Sequence, residues 1–199
     1  MLPSYCTLAF CPHCGAEKEI IQLMSGNTFG AVLWSDAKRE APMLPTPSPV
    51  QKCQKCGHFF FLDKAVKAEG NTYSFEQGWL TFDESIRAFE ELSNQGKDTL
   101  ELLTIIIAWA YNDMLRKNQE PTQEQTAVFR KRILENLSQG ILTENELLKA
   151  ELYREIGRYE ECISILENFP PEGTFLENLI KEIIERAKKH DDNVFVISN

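Results

Sequence analysis

Two short stretches of the chain share one pattern: "FCPHCG" at residues 10–15 and "KCQKCG" at residues 52–57. Each has two cysteines separated by two residues and followed by a glycine, and 38 residues lie between the two pairs. A Cys-x-x-Cys turn brings two sulfur atoms to the same side of the chain, so two such turns supply four thiolates for one tetrahedral metal ion. The predicted metal ligands are Cys11, Cys14, Cys53 and Cys56.

The residues around the cysteines fit this chemistry. Gly15 and Gly57 follow the second cysteine of each pair, where a positive φ turns backbone amides toward the sulfurs. A site with four thiolates has no open coordination position, so we expect it to stabilise the fold and not to catalyse a reaction. His13 and His58 lie beside the two pairs and are kept as alternative ligands.

Three other interpretations of the cysteines are weighed against a zinc site. Iron binds the same cage of four thiolates, so spacing does not separate the two metals. Disulfides belong to oxidising compartments, and the first ten residues lack the basic and apolar segments of a secretion signal. A redox dithiol pair opens a helix in a βαβ unit, which the sequence here does not predict. We therefore predict structural zinc, with iron as the alternative.

The double pattern resembles the zinc ribbons, and the resemblance covers roughly residues 8–62. It implies a small β fold built around one structural zinc ion, and it implies no particular activity. The linker between the two cysteine pairs is longer than in compact ribbons. We expect a hairpin of strands at 19–24 and 29–34 and an extended proline-rich loop at 41–49 within it. A further strand is predicted at 58–62.

The hydrophobic period becomes helical near residue 74. The sequence therefore predicts an α+β protein, with a zinc-ribbon-like β domain at 1–73 and an all-α domain at 74–199. Thr122 and Thr143 are predicted N-caps, and the helix at 98–117 is apolar nearly all round, which places it at the centre of the helical domain. The predicted helices are 82–94, 98–117, 122–138, 143–157, 159–168 and 175–190.

One helical segment, "AELYREIGRYEECISILEN" at residues 150–168, resembles the middle of a tetratricopeptide repeat. The resemblance implies two antiparallel helices that approach closely because position 162 is small. It departs from the family at Pro170 and Pro171, which end the second helix early, and no copy lies 34 residues upstream. An ordinary helical bundle is the alternative. The residues that carry the resemblance are Ala150, Tyr153, Gly157, Tyr159 and Cys162.

Charge and motifs argue against several classes of function. The net charge is −9, and the whole acidic excess lies after residue 75, because the first 75 residues carry seven basic and six acidic side chains. Such a chain is repelled by phosphate backbones, which disfavours nucleic acid as the main partner. No phosphate-binding loop, dinucleotide fingerprint or serine-nucleophile motif occurs, and no apolar run is long enough for a membrane span. We interpret six glutamates as solvated: Glu144, Glu146, Glu151, Glu155, Glu160 and Glu161.

The favoured function is a non-enzymatic scaffold that binds a protein or peptide through its helical domain, in the cytoplasm. The layout resembles bacterial proteins that join a zinc ribbon to tetratricopeptide-like helices. The alternative is nucleic-acid binding through a basic face of the ribbon. That face would contain Lys38, Arg39, Lys52, Lys55, Lys64 and Lys67 with Trp34 or Phe60. A third hypothesis is an enzyme site assembled from Trp34, Asp36, Lys38 and His58.

Overall fold

The computed structural model describes residues 2–3, 7–20, 23–69 and 78–197, and it has an α+β fold. Short strands come first and six helices follow, as the sequence predicts. The strands within the described ranges are β1 (Leu2–Pro3), β2 (Thr7–Phe10), β3 (Glu17–Ile20), β4 (Leu23–Ser25), β5 (Val32–Leu33), β6 (Arg39–Glu40), β7 (Val50–Lys52), β8 (Phe59–Phe61) and β9 (Val66–Glu69).

All six helices lie close to their predicted positions. They are α1 (Phe82–Leu92), α2 (Lys97–Arg116), α3 (Gln123–Ser138), α4 (Glu146–Glu155), α5 (Tyr159–Glu167) and α6 (Thr174–Lys188). A 3-10 turn, Ser93–Gln95, follows α1 directly. The apolar period therefore suffices to locate the helices of this chain, although not each of their ends.

Contacts between residues divide the chain into two units. The N-terminal unit contains Met1–Val32 and Arg39–Gln95, and the helical unit contains Leu33–Lys38 and Gly96–Asn199. The helix α1 therefore belongs to the same unit as the strands. The domain limits at 1–73 and 74–199 follow a different criterion, the change of hydrophobic period, and they stay a prediction.

Antiparallel pairing in the N-terminal unit places each cysteine pair at the turn of a hairpin. The strand β2 lies between β3 and β9, and β7 pairs with β8. The predicted hairpin of 19–24 with 29–34 is wrong, because β4 pairs with β1 and not with β5. Residues 28–31 form a turn of their own, in which Phe29 is 84% exposed and adds nothing to a core. The proline-rich loop at 41–49 contains no strand or helix, as predicted.

A run of three phenylalanines forms the core of the N-terminal unit. Phe59, Phe60 and Phe61 make up β8, and all three are buried. The helix α1 packs against this strand. An ion pair of 2.7 Å between Lys52 Nζ and Glu84 Oε1 also joins β7 to α1. Burial of apolar surface, at about 25 cal/mol per Å2, is the main stabilising term available to such a small unit.

The helix α2 contributes buried apolar residues to the helical unit, and its place at the centre of that unit stays a prediction. Leu103, Ile106 and Ile107 on this helix are almost completely buried. Farther along the chain, α4, α5 and α6 pack on one another around a second cluster, in which Cys162 and Ile183 are buried.

The last described residues pair with the Leu33–Lys38 segment of the same unit. Trp34 and Val196 form an antiparallel bridge, the Ser35 N–H donates to the Phe195 carbonyl at 2.9 Å, and the Ile197 N–H donates to the Leu33 carbonyl at 2.8 Å. Phe195 itself is buried. The β-branched and aromatic composition of residues 193–198 allows either an edge strand or a packed tail. Up to residue 197 the segment is a packed tail with a single strand-like bridge.

Of the two predicted N-caps, Thr122 is confirmed and Thr143 is wrong. The Thr122 hydroxyl accepts from the Gln125 N–H at 3.1 Å, and the Gln125 side chain accepts from the Thr122 N–H at 3.0 Å, which completes a capping box on α3. Thr143 caps no helix, because α4 begins three residues later with Asn145 as its N-cap. The Thr143 hydroxyl instead accepts from Lys97 Nζ at 3.0 Å.

We expect Thr122→Ala to lower the free energy of unfolding by about 1 kcal/mol, the usual cost of losing a side-chain N-cap. Urea denaturation followed by circular dichroism measures the change. Thr143→Ala is the matched control and should change stability by less than about 0.5 kcal/mol, because it removes only an exposed contact. Equal losses in the two variants would contradict the cap assignment.

Candidate metal centre

The first cysteine pair lies in a tight turn between β2 and β3. The Cys11 N–H donates to the Ala16 carbonyl at 2.9 Å, and the Gly15 N–H donates to the Cys11 carbonyl at 2.9 Å. Gly15 has a φ of 67°, and a Cβ there would meet no atom within 4 Å. Glycine is therefore favoured by the left-handed backbone and not by crowding. The turn holds the Cys11 and Cys14 side chains on one side of the hairpin.

The second cysteine pair repeats this geometry between β7 and β8. The Cys53 N–H donates to the His58 carbonyl at 2.9 Å, the Gly57 N–H donates to the Cys53 carbonyl at 2.9 Å, and the φ of Gly57 is 76°. The matching turns follow from the matching sequences. The structure thus confirms that the two quoted stretches form equivalent local structures.

All four predicted ligand residues are brought together. Their sulfur atoms lie within 4.8 Å of one another. The Cys11 and Cys56 sulfurs are 3.7 Å apart, and the Cys14 and Cys53 sulfurs are 3.6 Å apart. A tetrahedron with metal–sulfur bonds of about 2.3 Å has edges of about 3.8 Å, so this spacing suits a tetrahedral metal–thiolate centre. A disulfide needs a separation of about 2.05 Å, and all four cysteines are free.

Electrostatics oppose four thiolates in this cluster when no cation is bound. Burial alone raises the pKa of Cys53, but hydrogen bonds from the backbone N–H groups of Cys56 and Lys55 and from neighbouring thiols lower it to about 6. The pKa of Cys56 is lowered by the backbone N–H of His58, yet desolvation and the thiols of Cys53, Cys14 and Cys11 raise it to about 12. A thiolate therefore forms more readily at Cys53 than at Cys56, and four thiolates this close together would repel one another unless a cation offset their charge.

Burial differs across the cluster. Cys11 and Cys53 are buried and pack against Ala9, Ile20 and Phe60, whereas Cys56 is exposed. One side of the cluster therefore continues the core of the N-terminal unit, and the other side faces solvent. Cross-linking the two hairpins through sulfur would extend that core without adding apolar side chains.

The two neighbouring histidines contact each other beside the cysteine cluster. The rings of His13 and His58 stack with centroids 4.1 Å apart and an interplanar angle of 11°. His58 Nδ1 lies 2.8 Å from Glu91 Oε1 on α1. Their ring nitrogens group with Glu91 and not with the four sulfurs. Whether either residue replaces a cysteine as a ligand stays a prediction.

The helical unit contains a buried polar network that the sequence did not predict. Asp36 is fully buried, its carboxylate accepts from Asn112 Nδ2 at 2.9 Å and from the Arg116 guanidinium, and its carbonyl accepts from Trp109 Nε1 at 3.0 Å. Asn112 Nδ2 also donates to Glu155 Oε2 at 2.9 Å. These contacts join the Leu33–Lys38 segment to α2 and α4.

Two of the six glutamates interpreted as solvated are buried, so the interpretation is wrong for Glu151 and Glu155. Glu151 forms a bidentate ion pair with Arg154, one turn along α4, at 2.8 and 2.5 Å. The spacing of Glu151 and Arg154 indicates an ion pair, because residues three apart lie on the same face of a helix. Nothing in the local sequence indicated that this face would be covered.

Glu155 is protonated more readily than an ordinary glutamate. Burial raises its pKa well above 4.5, and the carboxylates of Glu151 and Asp36 raise it further. Its Oε1 atom has no hydrogen-bond partner among the residues that the structure describes. A folded-state pKa above the unfolded value stabilises the protein at low pH and loses that contribution as pH rises from about 4.5 toward the folded value.

We expect Glu155→Gln to raise the free energy of unfolding at alkaline pH by about 1 kcal/mol, because glutamine keeps the acceptor for Asn112 and never ionises. Urea denaturation between pH 5 and pH 9 measures the effect. The variant should show a flatter decline of stability with pH than the natural chain. Glu160→Gln, at an exposed position of α5, is the control. A parallel pH profile for Glu155→Gln would contradict the assignment.

Residues proposed for other sites are held in structural contacts. Lys38 Nζ pairs with Asp113 Oδ1 at 2.5 Å in the helical unit, and Trp34 lies beside the Arg116 guanidinium at 4.8 Å. His58 belongs to the N-terminal unit. The four residues of the enzyme hypothesis therefore do not lie together within one unit, because Trp34, Asp36 and Lys38 belong to the helical unit.

Comparison of the chain with known protein families, with curated proteins and with solved structures found no match. None of the helices within residues 78–197 is both long and apolar enough to cross a membrane. The function is therefore inferred from the geometry of the chain itself.

Proposed function

We propose that the four cysteines hold one structural Zn2+ ion and that the chain is a non-enzymatic scaffold that binds a protein or peptide through its helices. The observation that carries this proposal is the cluster of four cysteine sulfurs with nearly tetrahedral spacing. Thiolates favour zinc or iron over harder cations. Two hairpins with one cysteine pair each also support the resemblance to zinc ribbons.

A metal ion with four thiolate ligands contributes to folding and not to catalysis. Such an ion has no position left for water or substrate, so it neither lowers the pKa of a bound water nor polarises a carbonyl group. When bound, it would neutralise the thiolates and join the β2–β3 hairpin to the β7–β8 hairpin. The metal centre thus supports a scaffold better than it supports an enzyme.

Elemental analysis of the full-length chain, purified without added metal, tests the zinc assignment. We expect about one zinc per chain and no absorption in the visible range. Iron in the same thiolate cage gives a coloured protein. A coloured sample with one iron per chain would therefore show that the metal is iron and not zinc. Less than about 0.2 equivalents of either metal, with all thiols reactive, would contradict a metal centre.

The helical unit supports the scaffold half of the proposal. In the segment similar to a tetratricopeptide repeat, Ala150 on α4 and Cys162 on α5 are fully buried where the two helices pack. Gly157 has a φ of 80° in the turn between the helices, and the Tyr159 hydroxyl donates to the His190 carbonyl at 3.0 Å. Close helix pairs of this kind form protein-binding surfaces in repeat proteins.

Nucleic-acid binding gains less support from the contacts of the basic residues. Lys38 and Lys52 form ion pairs with acidic side chains, Lys64 Nζ donates to Gln95 Oε1 at 2.6 Å, and Phe60 is buried. Phosphate binding relies on lysines and arginines that are open to solvent. We expect no gel shift with DNA or RNA even at low salt.

Affinity capture with the full-length chain tests the scaffold function, and the captured partner is then purified and bound again in isolation. Hydrogen exchange maps the contact. Protection within α2–α6 in the presence of the purified partner supports the proposal. Protection confined to the strands at 7–69, or no partner that binds again after purification, would overturn it. Location in the cytoplasm stays a prediction.

A further inference from the structure

Three side chains of types that commonly bind metal ions lie together beside the cysteine cluster. His13 lies inside the first cysteine turn, His58 follows the second turn, and Glu91 lies on α1. One ligand atom from each residue lies within 4.8 Å of the other two. The three residues come from three separate segments of the N-terminal unit, so their meeting is a result of the fold and not of local sequence.

The distances between these groups suit coordination of one metal ion. His58 Nδ1 and Glu91 Oε1 are 2.8 Å apart. Two ligands at about 2.1 Å from one tetrahedral metal ion are about 3.4 Å apart, so this pair needs to separate by about 0.6 Å. The His13 ring stacks 4.1 Å from the His58 ring, and its exposed side chain can rotate about χ1 and χ2 to bring a nitrogen to the same ion.

The protein holds two of the three groups in place before any ion binds. The Glu91 carboxylate accepts a second hydrogen bond, from the Phe59 N–H at 3.2 Å, which fixes its position beside β8. The backbone of His58 is fixed by its carbonyl, which accepts from the Cys53 N–H. At the same time the His58 side chain is 50% exposed, so an ion from solvent has access.

We propose that His13, His58 and Glu91 form a second site, which binds an exchangeable divalent transition-metal ion of the zinc class. Two imidazoles and one carboxylate are typical ligands of Zn2+ and its neighbours and bind Mg2+ or Ca2+ poorly. Three protein ligands leave a position for water. The ion is exposed and bound by fewer charges than in the thiolate cluster, so it exchanges with solvent and binds far more weakly. This inference is independent of the scaffold function.

The test uses the full-length chain without a histidine tag, loaded with one equivalent of Zn2+ and then titrated with more Zn2+ in a calorimeter. We expect a second equivalent with a Kd of about 1–100 µM. His13→Ala, His58→Ala and Glu91→Gln should each weaken it at least about tenfold and keep the first equivalent. His190→Ala removes the remaining histidine of the chain and is the matched control, with the second equivalent unchanged.

Nuclear magnetic resonance gives a second measurement that does not depend on variants. The imidazole signals of His13 and His58 should shift with the second equivalent of Zn2+, while those of His190 stay in place. Absence of a second equivalent, or equal affinity in all variants, would overturn the proposal. It would also be overturned if a histidine variant lost the first equivalent, because the histidine would then serve the cysteine cluster.

Discussion

Cys53→Ser is expected to abolish metal binding and to unfold the hairpins of the N-terminal unit. Serine is a poor ligand for a soft metal ion, and three thiolates form an incomplete and repulsive cluster. Structural zinc sites contribute about 10–16 kcal/mol of binding free energy in small domains, far more than a unit with few buried side chains has to spare. We therefore expect the free energy lost with one cysteine ligand to exceed the free energy of unfolding of the unit.

Two measurements locate this effect. Zinc content should fall from about one to near zero per chain, and amide hydrogen exchange should accelerate at 7–20 and 50–61, where the two hairpins lie. The helices α2–α6 have their own core in the helical unit, so their amides should stay protected. Native-like protection of the hairpins in metal-free Cys53→Ser would refute the structural role of the metal.

Cys162→Ala is the matched control for the cysteine substitution. Cys162 is buried on α5 and lies in the other unit, and burial raises its pKa to about 12, so it is an inert side chain. Removing its sulfur should cost about 1 kcal/mol through a small cavity and leave the zinc content unchanged. The contrast between the two variants separates loss of a ligand from loss of a cysteine.

Arg154→Ala is expected to destabilise the helical unit by about 3–5 kcal/mol, because it leaves the Glu151 carboxylate buried without its counter-charge. Both residues are 0% exposed. The Arg154 guanidinium also donates to the carbonyls of Asp191 and Asn193, and it lies 5.5 Å from the centre of the Phe195 ring. The substitution therefore removes an ion pair and the attachment of the C-terminal tail together.

Urea denaturation measures the loss, and hydrogen exchange at the Phe195 amide reports the release of the tail. Arg130→Ala is the control: Arg130 forms an ion pair of 2.7 Å with Asp192 near the same tail, but its side chain is 48% exposed. An exposed pair contributes at most about 1 kcal/mol. Similar losses in Arg130→Ala and Arg154→Ala would contradict the role assigned to burial.

A double variant separates charge from packing at this site. Glu151→Met with Arg154→Met removes both charges and keeps the apolar volume, and such replacements are often neutral or stabilising. We expect the double variant to be at least about 2 kcal/mol more stable than Arg154→Ala. If it were as unstable as Arg154→Ala, the tail contacts and not the unpaired Glu151 would account for the loss.

The sequence was sufficient for features that depend on neighbouring residues. Helix limits follow from apolar period and caps, so α2 at Lys97–Arg116 matches the prediction of 98–117. The two cysteine turns follow from their own spacing and glycines. The approach of the four sulfurs was predictable because one tetrahedral metal ion needs four thiolates, and the two distant cysteine pairs supply two each.

The sequence was insufficient where distant segments decide the outcome. The partner of β4 is β1, so the pairing depends on a strand elsewhere in the chain and not on the residues between the two predicted hairpin strands. Asp36 and Glu155 carry no local sign of burial, since charged residues are usually exposed; both are buried, and each accepts a hydrogen bond from Asn112 of α2. Thr143 is of a residue type that often caps helices, yet α4 begins at Glu146 because Asn145 caps it.

The Leu33–Lys38 segment makes the helical unit discontinuous along the chain, and this limits how the protein can be divided. A fragment that starts near residue 75 contains every helix but lacks Asp36, the carboxylate that pairs with Arg116, and lacks the backbone groups that bind residues 195 and 197. Such a truncation would remove the Asp36 acceptors of Trp109, Asn112 and Arg116 on α2. Deletion of the first strands would therefore impair a helical bundle whose helices are all intact.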